Sequence, residues 1–244
     1  MQLNKNKILI TGATAGIGRA LTEKLLELDN EIIAVGRNNK KLEELTKSDK
    51  RIIPFQCDIS KQSELDNLTL FIEQKHKDLN ILINNAGIQY NYNFTNDHQL
   101  LHKVEHEINV NFLAPLKLIA LLLPTLQTNN NSAIVNVSSG LAIVPKAQAP
   151  VYCGTKAGIH IFSKSLRYQL EKVKVFEIIP PLVETSMTKG RGKGKISPQR
   201  LVDEFIIAFK KDKFEVNIHK VKLLRIINRI SPKIADRIMR GITP

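Results

Sequence analysis

Residues 7–18 read Lys7-Ile8-Leu9-Ile10-Thr11-Gly12-Ala13-Thr14-Ala15-Gly16-Ile17-Gly18. A short apolar, β-prone run enters three glycines, and a helical pattern over 17–28 leaves them. Glycine lets the backbone turn tightly and come close to a ligand. A helix that starts beside such a turn presents unpaired amides and the positive end of its dipole to an anion. In this setting the triplet reads as a pyrophosphate cradle built from Gly12, Thr14, Gly16, Ile17 and Gly18.

The pattern continues outward from that stretch. Apolar runs at 31–35, 52–56, 79–84, 133–137, 174–178 and 214–218 read as further strands. Between them lie helical patterns at 40–46 and 62–76, two helices ending near Leu126, a helix from Tyr152 to Leu170, and one at 201–209. Strand–helix alternation implies parallel pairing with right-handed crossovers and helices on both faces. The expectation is an α/β, Rossmann-type doubly wound parallel sheet of about seven strands. The 244 residues suit one domain over 1–244, with no internal linker or repeat.

Composition narrows the function classes. Lysine and arginine exceed aspartate and glutamate by 36 to 23, a net charge of +13. The few aromatics do not interleave with the basic residues, which argues against a nucleic-acid platform. The most apolar run, 116–126, is broken by Lys117, Pro124 and Thr125 and falls short of a membrane span. The polar start, Met1 to Asn6, shows no secretory signal. Cys57 and Cys153 suit a reducing compartment as free thiols, so the expected location is cytoplasmic.

Two positions bear on the choice of nucleotide. The second strand ends Ala34-Val35-Gly36-Arg37-Asn38, without the acidic residue that would bind a ribose 2′-hydroxyl. Arg37 reads as the partner of a 2′-phosphate, favouring NADP over NAD, or as a solvated residue at a helix start. Asp58 reads as a contact to the adenine edge, or as an N-cap of the next helix.

Tyr152 and Lys156 stand four residues apart in Val-Tyr-Cys-Gly-Thr-Lys-Ala-Gly, a spacing that shares one helix face. An ammonium beside a phenol lowers the cost of the phenolate, so the pair reads as an acid–base device. The motifs taken together are the 11–18 loop, Asn84-Asn85-Ala86-Gly87, Asn111, Ser139, Tyr152-x-x-x-Lys156 and Pro180-Pro181-Leu182-Val183-Glu184-Thr185. In order and spacing they resemble the short-chain dehydrogenase/reductase family over nearly the whole chain. The Tyr-Cys-Gly-Thr-Lys helix, the 177–185 segment and the basic tail are similar to the DltE-type subgroup.

That resemblance implies an NAD(P)-dependent oxidoreductase moving a hydride between nicotinamide and a carbonyl/alcohol substrate, with NADPH-dependent reduction favoured. It implies that Ser139 polarises the carbonyl, that Tyr152 is the general acid or base, and that Lys156 lowers the tyrosine pKa and holds ribose hydroxyls. Asn111 would anchor a proton-relaying water. Asn85, Ala86 and Gly87 would support the central strand and the adenosine ribose. Pro180, Val183 and Thr185 would meet the carboxamide, with Pro181 standing where the family has glycine. Asn109 competes with Asn111, and Ser138 with Ser139. The spacing to Ala114 and to Tyr152 favours Asn111 and Ser139. Cys153 reads as a packing residue.

The resemblance further implies a homodimer or homotetramer and a substrate lid over about 186–212. The Lys189–Lys195 run within it reads equally as a cationic lid or as a solvated loop. The basic helical tail, about 220–244, sets Val221, Leu224, Ile227 and Ile230 on one side. Packing or oligomerisation is the favoured reading, ahead of cleft cover or contact with an anionic membrane. His98, His102 and His106 recur every four residues, but without an acidic partner no metal is expected. The competing readings are NAD-dependent alcohol oxidation and a non-catalytic nucleotide-binding or membrane-adaptor protein on the same scaffold.

Overall fold

The computed structural model describes residues 1–91 and 93–240. The last four residues of the expected tail, 241–244, lie outside the described residues. In chain order the elements are β1 (Lys7–Thr11), α1 (Gly16–Glu27), β2 (Glu31–Gly36), α2 (Asn39–Thr46), β3 (Ile52–Gln56), α3 (Gln62–Lys75) and β4 (Ile81–Asn84). There follow α4 (Leu100–Ile108), a π-turn (Asn109–Leu113), α5 (Ala114–Thr128), β5 (Ala133–Val137), α6 (Pro150–Gln169) and β6 (Lys174–Ile179). The chain ends with α7 (Pro198–Lys210), β7 (Glu215–Asn217), α8 (Lys220–Ile230) and α9 (Pro232–Met239).

All seven strands pair in parallel in the order β3-β2-β1-β4-β5-β6-β7. The order reverses between β1 and β4, so the connections leave that junction in opposite directions and open a crevice at the carboxyl ends of the strands. Successive strand residues face opposite sides. Ile8 and Ile10 of β1 therefore pack with Leu21 and Leu25 of α1 and Phe205 of α7, while Leu9 packs with Leu65 and Leu68 of α3 and Leu118 and Leu122 of α5. Both faces are covered over the central strands, which is why β1, β2 and β4 are nearly continuously apolar, while the edge strand β3 alternates in burial.

Two expectations about extent change. Helix α4, the π-turn and α5 form one continuous helical run, Leu100–Thr128, whose most apolar window has a mean hydropathy of 1.5. By length and composition it could cross a membrane. The broken run at 116–126 hid this, because the helix extends well upstream of it. Here its Leu118, Ile119, Leu122 and Leu126 face is buried in the sheet core. Within the expected lid at 186–212, helix α7 belongs to the core through Leu201, Val202, Phe205 and Phe209. Ser197 caps it by accepting from the Arg200 amide at 3.2 Å, and only the segment before it stands over the crevice.

Candidate active site

The glycine loop is clasped to β4. The Thr11 hydroxyl accepts from the Asn85 and Ala86 amides at 3.0 and 3.1 Å and donates to the Ile83 carbonyl at 3.4 Å. That uses its whole hydrogen-bonding capacity. The Asn85 side-chain amide donates to the Thr11 and Gly12 carbonyls at 2.9 and 3.3 Å. Gly12 and Gly16 take left-handed φ of +66° and +54°, which side chains resist. A Cβ on Gly18 would strike the Gly12 carbonyl oxygen and the Asn85 amide. Gly18 is thus the close-packing glycine behind the cradle, whereas Gly12, Thr14, Gly16 and Ile17 line the cleft itself.

The cleft holds about 1030 Å³ and runs along the carboxyl ends of the strands. At its β2–β3 end stand Arg37 and Asp58. Arg37 is exposed, and its guanidinium makes no ion pair among the described residues. Asp58 is not the N-cap of α3, a place that Lys61 takes without a side-chain cap bond. Asp58 faces the cleft, and its Oδ1 accepts from the Ser60 amide and hydroxyl at 3.0 and 2.8 Å in the turn before α3. Burial works against its charge, but the Ser60 bonds and the nearby Arg37 outweigh it and hold the carboxyl below its ordinary value. Asn85, Ala86, Gly87, Pro180, Val183 and Thr185 line the middle.

At the β5–β6 end, Ser139, Tyr152 and Lys156 converge. Ser139 faces the cleft and caps a short 3-10 turn by accepting from the Leu141 amide at 3.1 Å. Ser138 also touches the cleft, but its hydroxyl is buried against the Ile178 carbonyl at 3.4 Å, so the sheet takes it up. The Lys156 ammonium is buried, donates to the Val137 carbonyl at 2.8 Å, and lies 5.7 Å from the centre of the Tyr152 ring. A Cβ on Gly87 would stand 3.6 Å from that nitrogen.

Asn111 sits behind this wall. Its Oδ1 accepts from the Ile88 amide and its Nδ2 donates to the Ile88 carbonyl, both at 2.8 Å. The π-turn aims the residue there, as such bulges commonly do at functional sites. Its amide therefore pins the loop after β4, and Asn111 does not line the cleft. Asn109 stays partly exposed at the start of the same turn.

Burial pushes the Tyr152 phenol up to about 12, while a hydrogen bond with Ser139 and the charge of Arg191 pull the other way. Burial pushes the Lys156 ammonium down to about 8 against the pull of Glu177 and Glu107. Burial is the largest influence on both groups, and it moves them in opposite directions.

Some supporting residues escaped the sequence reading. Asn84 Nδ2 donates to Asn136 Oδ1 at 2.9 Å, Asn136 Nδ2 to Ser163 Oγ at 2.9 Å, and Ser163 Oγ to the Ile159 carbonyl at 2.7 Å. This buried chain ties β4 and β5 to α6, the helix that carries Tyr152 and Lys156. Its signal was there to read: one asparagine ending an apolar strand and another inside the next. Glu107 is another, fully buried and accepting from the Tyr90 amide at 3.1 Å. Cys153 is buried with Sγ 3.4 Å from the Lys146 amide, and burial pushes its thiol up, as suits a packing residue. His98 precedes α4, and His106 pairs with the Tyr90 hydroxyl at 2.7 Å. Helix α8 packs Val221 and Leu224 beside Gly140, and α8 and α9 line the outer end of the cleft.

The depressed Lys156 sets the sign of a pH effect. Unfolded, a lysine titrates near ~10.4, and folded Lys156 does so at about 8. Between those values the unfolded chain binds more protons, so this group adds stability as pH rises. The unfolding free energy of Lys156→Met minus that of the wild type is expected to fall from pH 8 to 10, by up to about 1.4 kcal/mol per pH unit. A difference that stays constant in denaturant titrations across that range would show that Lys156 keeps an ordinary pKa.

Comparison with known proteins agrees with this geometry. The family model for short chain dehydrogenase matches residues 6–195. The chain is 40% identical over 237 residues to the uncharacterized oxidoreductase DltE of Bacillus subtilis strain 168, covering 94% of each protein. A short chain dehydrogenase from Burkholderia cenocepacia J2315 in complex with NADP superposes with a TM-score of 0.88 at 24% identity, over 100% of both chains. One from Burkholderia phymatum in complex with NAD does so at 0.84 and 17% identity, over 100% of this chain and 98% of that one. With its glycine cradle, its clasped switch point and its Ser139–Tyr152–Lys156 cluster, the chain belongs to the short-chain dehydrogenase/reductase family and is an oxidoreductase.

Proposed function

We propose that the protein is a cytoplasmic reductase that converts a small carbonyl compound to its alcohol with NADPH. One observation carries this reading. Tyr152, hydrogen-bonded to Ser139 and backed by a buried Lys156, opens onto a cleft that continues into a glycine-lined anion cradle. The residues present fit a dinucleotide. The left-handed glycines leave the cradle open, and a Cβ on Gly16 would close it, standing 2.9 Å from Thr185 Cγ2.

A nicotinamide dinucleotide bound there supplies the hydride. Gly12, Thr14, Gly16 and Ile17 would hold its pyrophosphate near the N-terminus of α1. Asp58 and the 85–87 backbone would hold the adenosine half, and Lys156 would hold ribose hydroxyls. Pro180, Val183 and Thr185 shape the carboxamide end. Ser139 and Tyr152 grip the substrate oxygen, and Tyr152 delivers its phenolic proton there as negative charge develops on it. Gly18, Asn85 and Asn111 position these groups. A phenol that resists ionisation is suited to this direction, because its proton is in place before the reaction starts.

The structural neighbours hold NADP in one case and NAD in the other, so the choice rests on the end of β2. Arg37 is exposed there, with Asp58 as its nearby charge, and can take a 2′-phosphate as a planar fork. Both cysteines are free and buried, in keeping with a reducing compartment. Exposed Ile161 and Tyr168 on α6, with Ile226, Ile230 and Ile234 on the tail, offer apolar surface for a second copy in a homodimer or homotetramer.

Two variants test the two halves of the site. Tyr152→Phe is expected to lower carbonyl reduction by about 10²–10⁴-fold while NADPH still binds with its fluorescence change. Arg37→Ala is expected to weaken NADPH binding by roughly 10–100-fold, the loss of one charged hydrogen-bonded contact, and to leave NADH binding nearly unchanged. Undiminished turnover in the first variant, or equal effects on the two nucleotides in the second, would refute the corresponding assignment.

A further inference from the structure

Arg191 is the least explained charge in the cleft. It follows Gly190 in a loop whose three glycines, 190, 192 and 194, all take left-handed φ. Its Nη2 makes one long bond, 3.4 Å to the Gln89 carbonyl, which draws the loop over the segment after β4. Its Nη1 is buried with no hydrogen-bond partner, and Arg191 joins no ion pair among the described residues. The side chain lines the cleft, and its charge is felt at the Tyr152 phenol. A buried guanidinium nitrogen without an acceptor costs on the order of 1–3 kcal/mol, more for a charged group. Such a nitrogen is expected to be filled by something the cleft receives.

The surroundings say what that is. Asp58, at the β2–β3 end, is the sole carboxylate lining the cleft among the described residues. At the Tyr152 end, Lys146 and Lys220 join Arg191, and no acid lines the cleft there among the described residues; the buried Glu107 also acts on Tyr152 from behind the wall, but the lining itself favours an anion. In the same cleft, α8 and α9 present Leu224, Ile227 and Met239, an apolar wall that a purely polar substrate would leave wet.

We infer that Arg191 is the substrate's anion anchor: the carbonyl compound reduced here carries a carboxylate, held by the Arg191 fork beside Tyr152, and an apolar body laid against α8 and α9. The inference rests on the carbonyl-reductase reading above and adds the substrate class to it. An arginine fork matches a carboxylate in plane and can bind it through two parallel hydrogen bonds. The fork lies on the loop before α7, so the anion would also hold that loop down.

The experiment compares 2-, 4- and 5-oxooctanoate, each beside its methyl ester, with NADPH-loaded wild type and Arg191→Gln. For at least one chain position the wild-type kcat/KM for the acid should exceed that for its ester at least tenfold, and Arg191→Gln should reduce that ratio at least tenfold. A wild type that treats acids and esters alike, or a variant that keeps the wild-type ratio, would overturn the anchor while leaving carbonyl reduction standing. If neither acids nor esters are reduced, the reductase reading fails, and calorimetry with octanoate on the NADP-loaded protein decides the anchor by itself. Binding at least tenfold weaker in Arg191→Gln supports it, and equal binding overturns it.

Discussion

Everything in this molecule hangs from the clasp between β1 and β4. Two neighbouring parallel strands whose connections diverge leave a crevice, and its width depends on what holds the first glycine loop to the strand beside it. Thr11 and Asn85 do this with side-chain bonds to backbone, so the loop can keep its left-handed glycines without a ladder of its own. The cost of an unpaired buried amide is high enough that breaking this clasp would disturb both the cradle and the strand exit at Gly87. Gly87 in turn leaves the space beside the Lys156 ammonium, so the same junction governs both ends of the cleft.

The catalytic end shows how burial sets chemistry. Lys156 lies under the cleft floor with a carbonyl as its hydrogen-bond acceptor and two buried carboxylates acting at longer range. Tyr152 lines the same cleft, and burial raises its phenol. The two groups move in opposite directions because removal from water penalises charge on each. The buried Asn84–Asn136–Ser163 chain holds α6 to the sheet at this point, which gives two polar residues inside apolar strands a purpose that packing alone would not.

How much of this was legible depended on whether the signal was local. The strand–glycine–helix passage at 7–18 and the period of the apolar runs carry their meaning within a few residues, so the seven strands and their parallel pairing could be read directly. Tyr152, Lys156 and Ser139 were legible because fixed spacing stands in for fixed geometry on a helix and its preceding turn. Asn111 could be located, but not its contact: its two bonds to Ile88 reach across 23 positions. The same holds for α7, which the resemblance put within the lid while its apolar face is core, and for the joining of α4 to α5 through a π-turn. Side-chain pKa values were the least legible, since they follow from burial, and the spacing of Tyr152 and Lys156 says nothing of how dry their surroundings are. The basic loop could be weighed only as a whole. That Arg191 is the cation left unsatisfied emerges from three-dimensional contacts alone.

The central claim is that Tyr152 and its neighbours serve a hydride transfer to a carbonyl carbon. It is tested most directly by incubating the protein with NADPH carrying deuterium on one face of nicotinamide C4, and then with the opposite face labelled, against ketones and aldehydes of graded size. Mass spectrometry would follow the label. The account requires deuterium on the carbinol carbon of the alcohol from one labelled face only, with none lost to water. Bound NADPH whose label reaches no carbonyl carbon in the series, or appears in solvent instead, would contradict it.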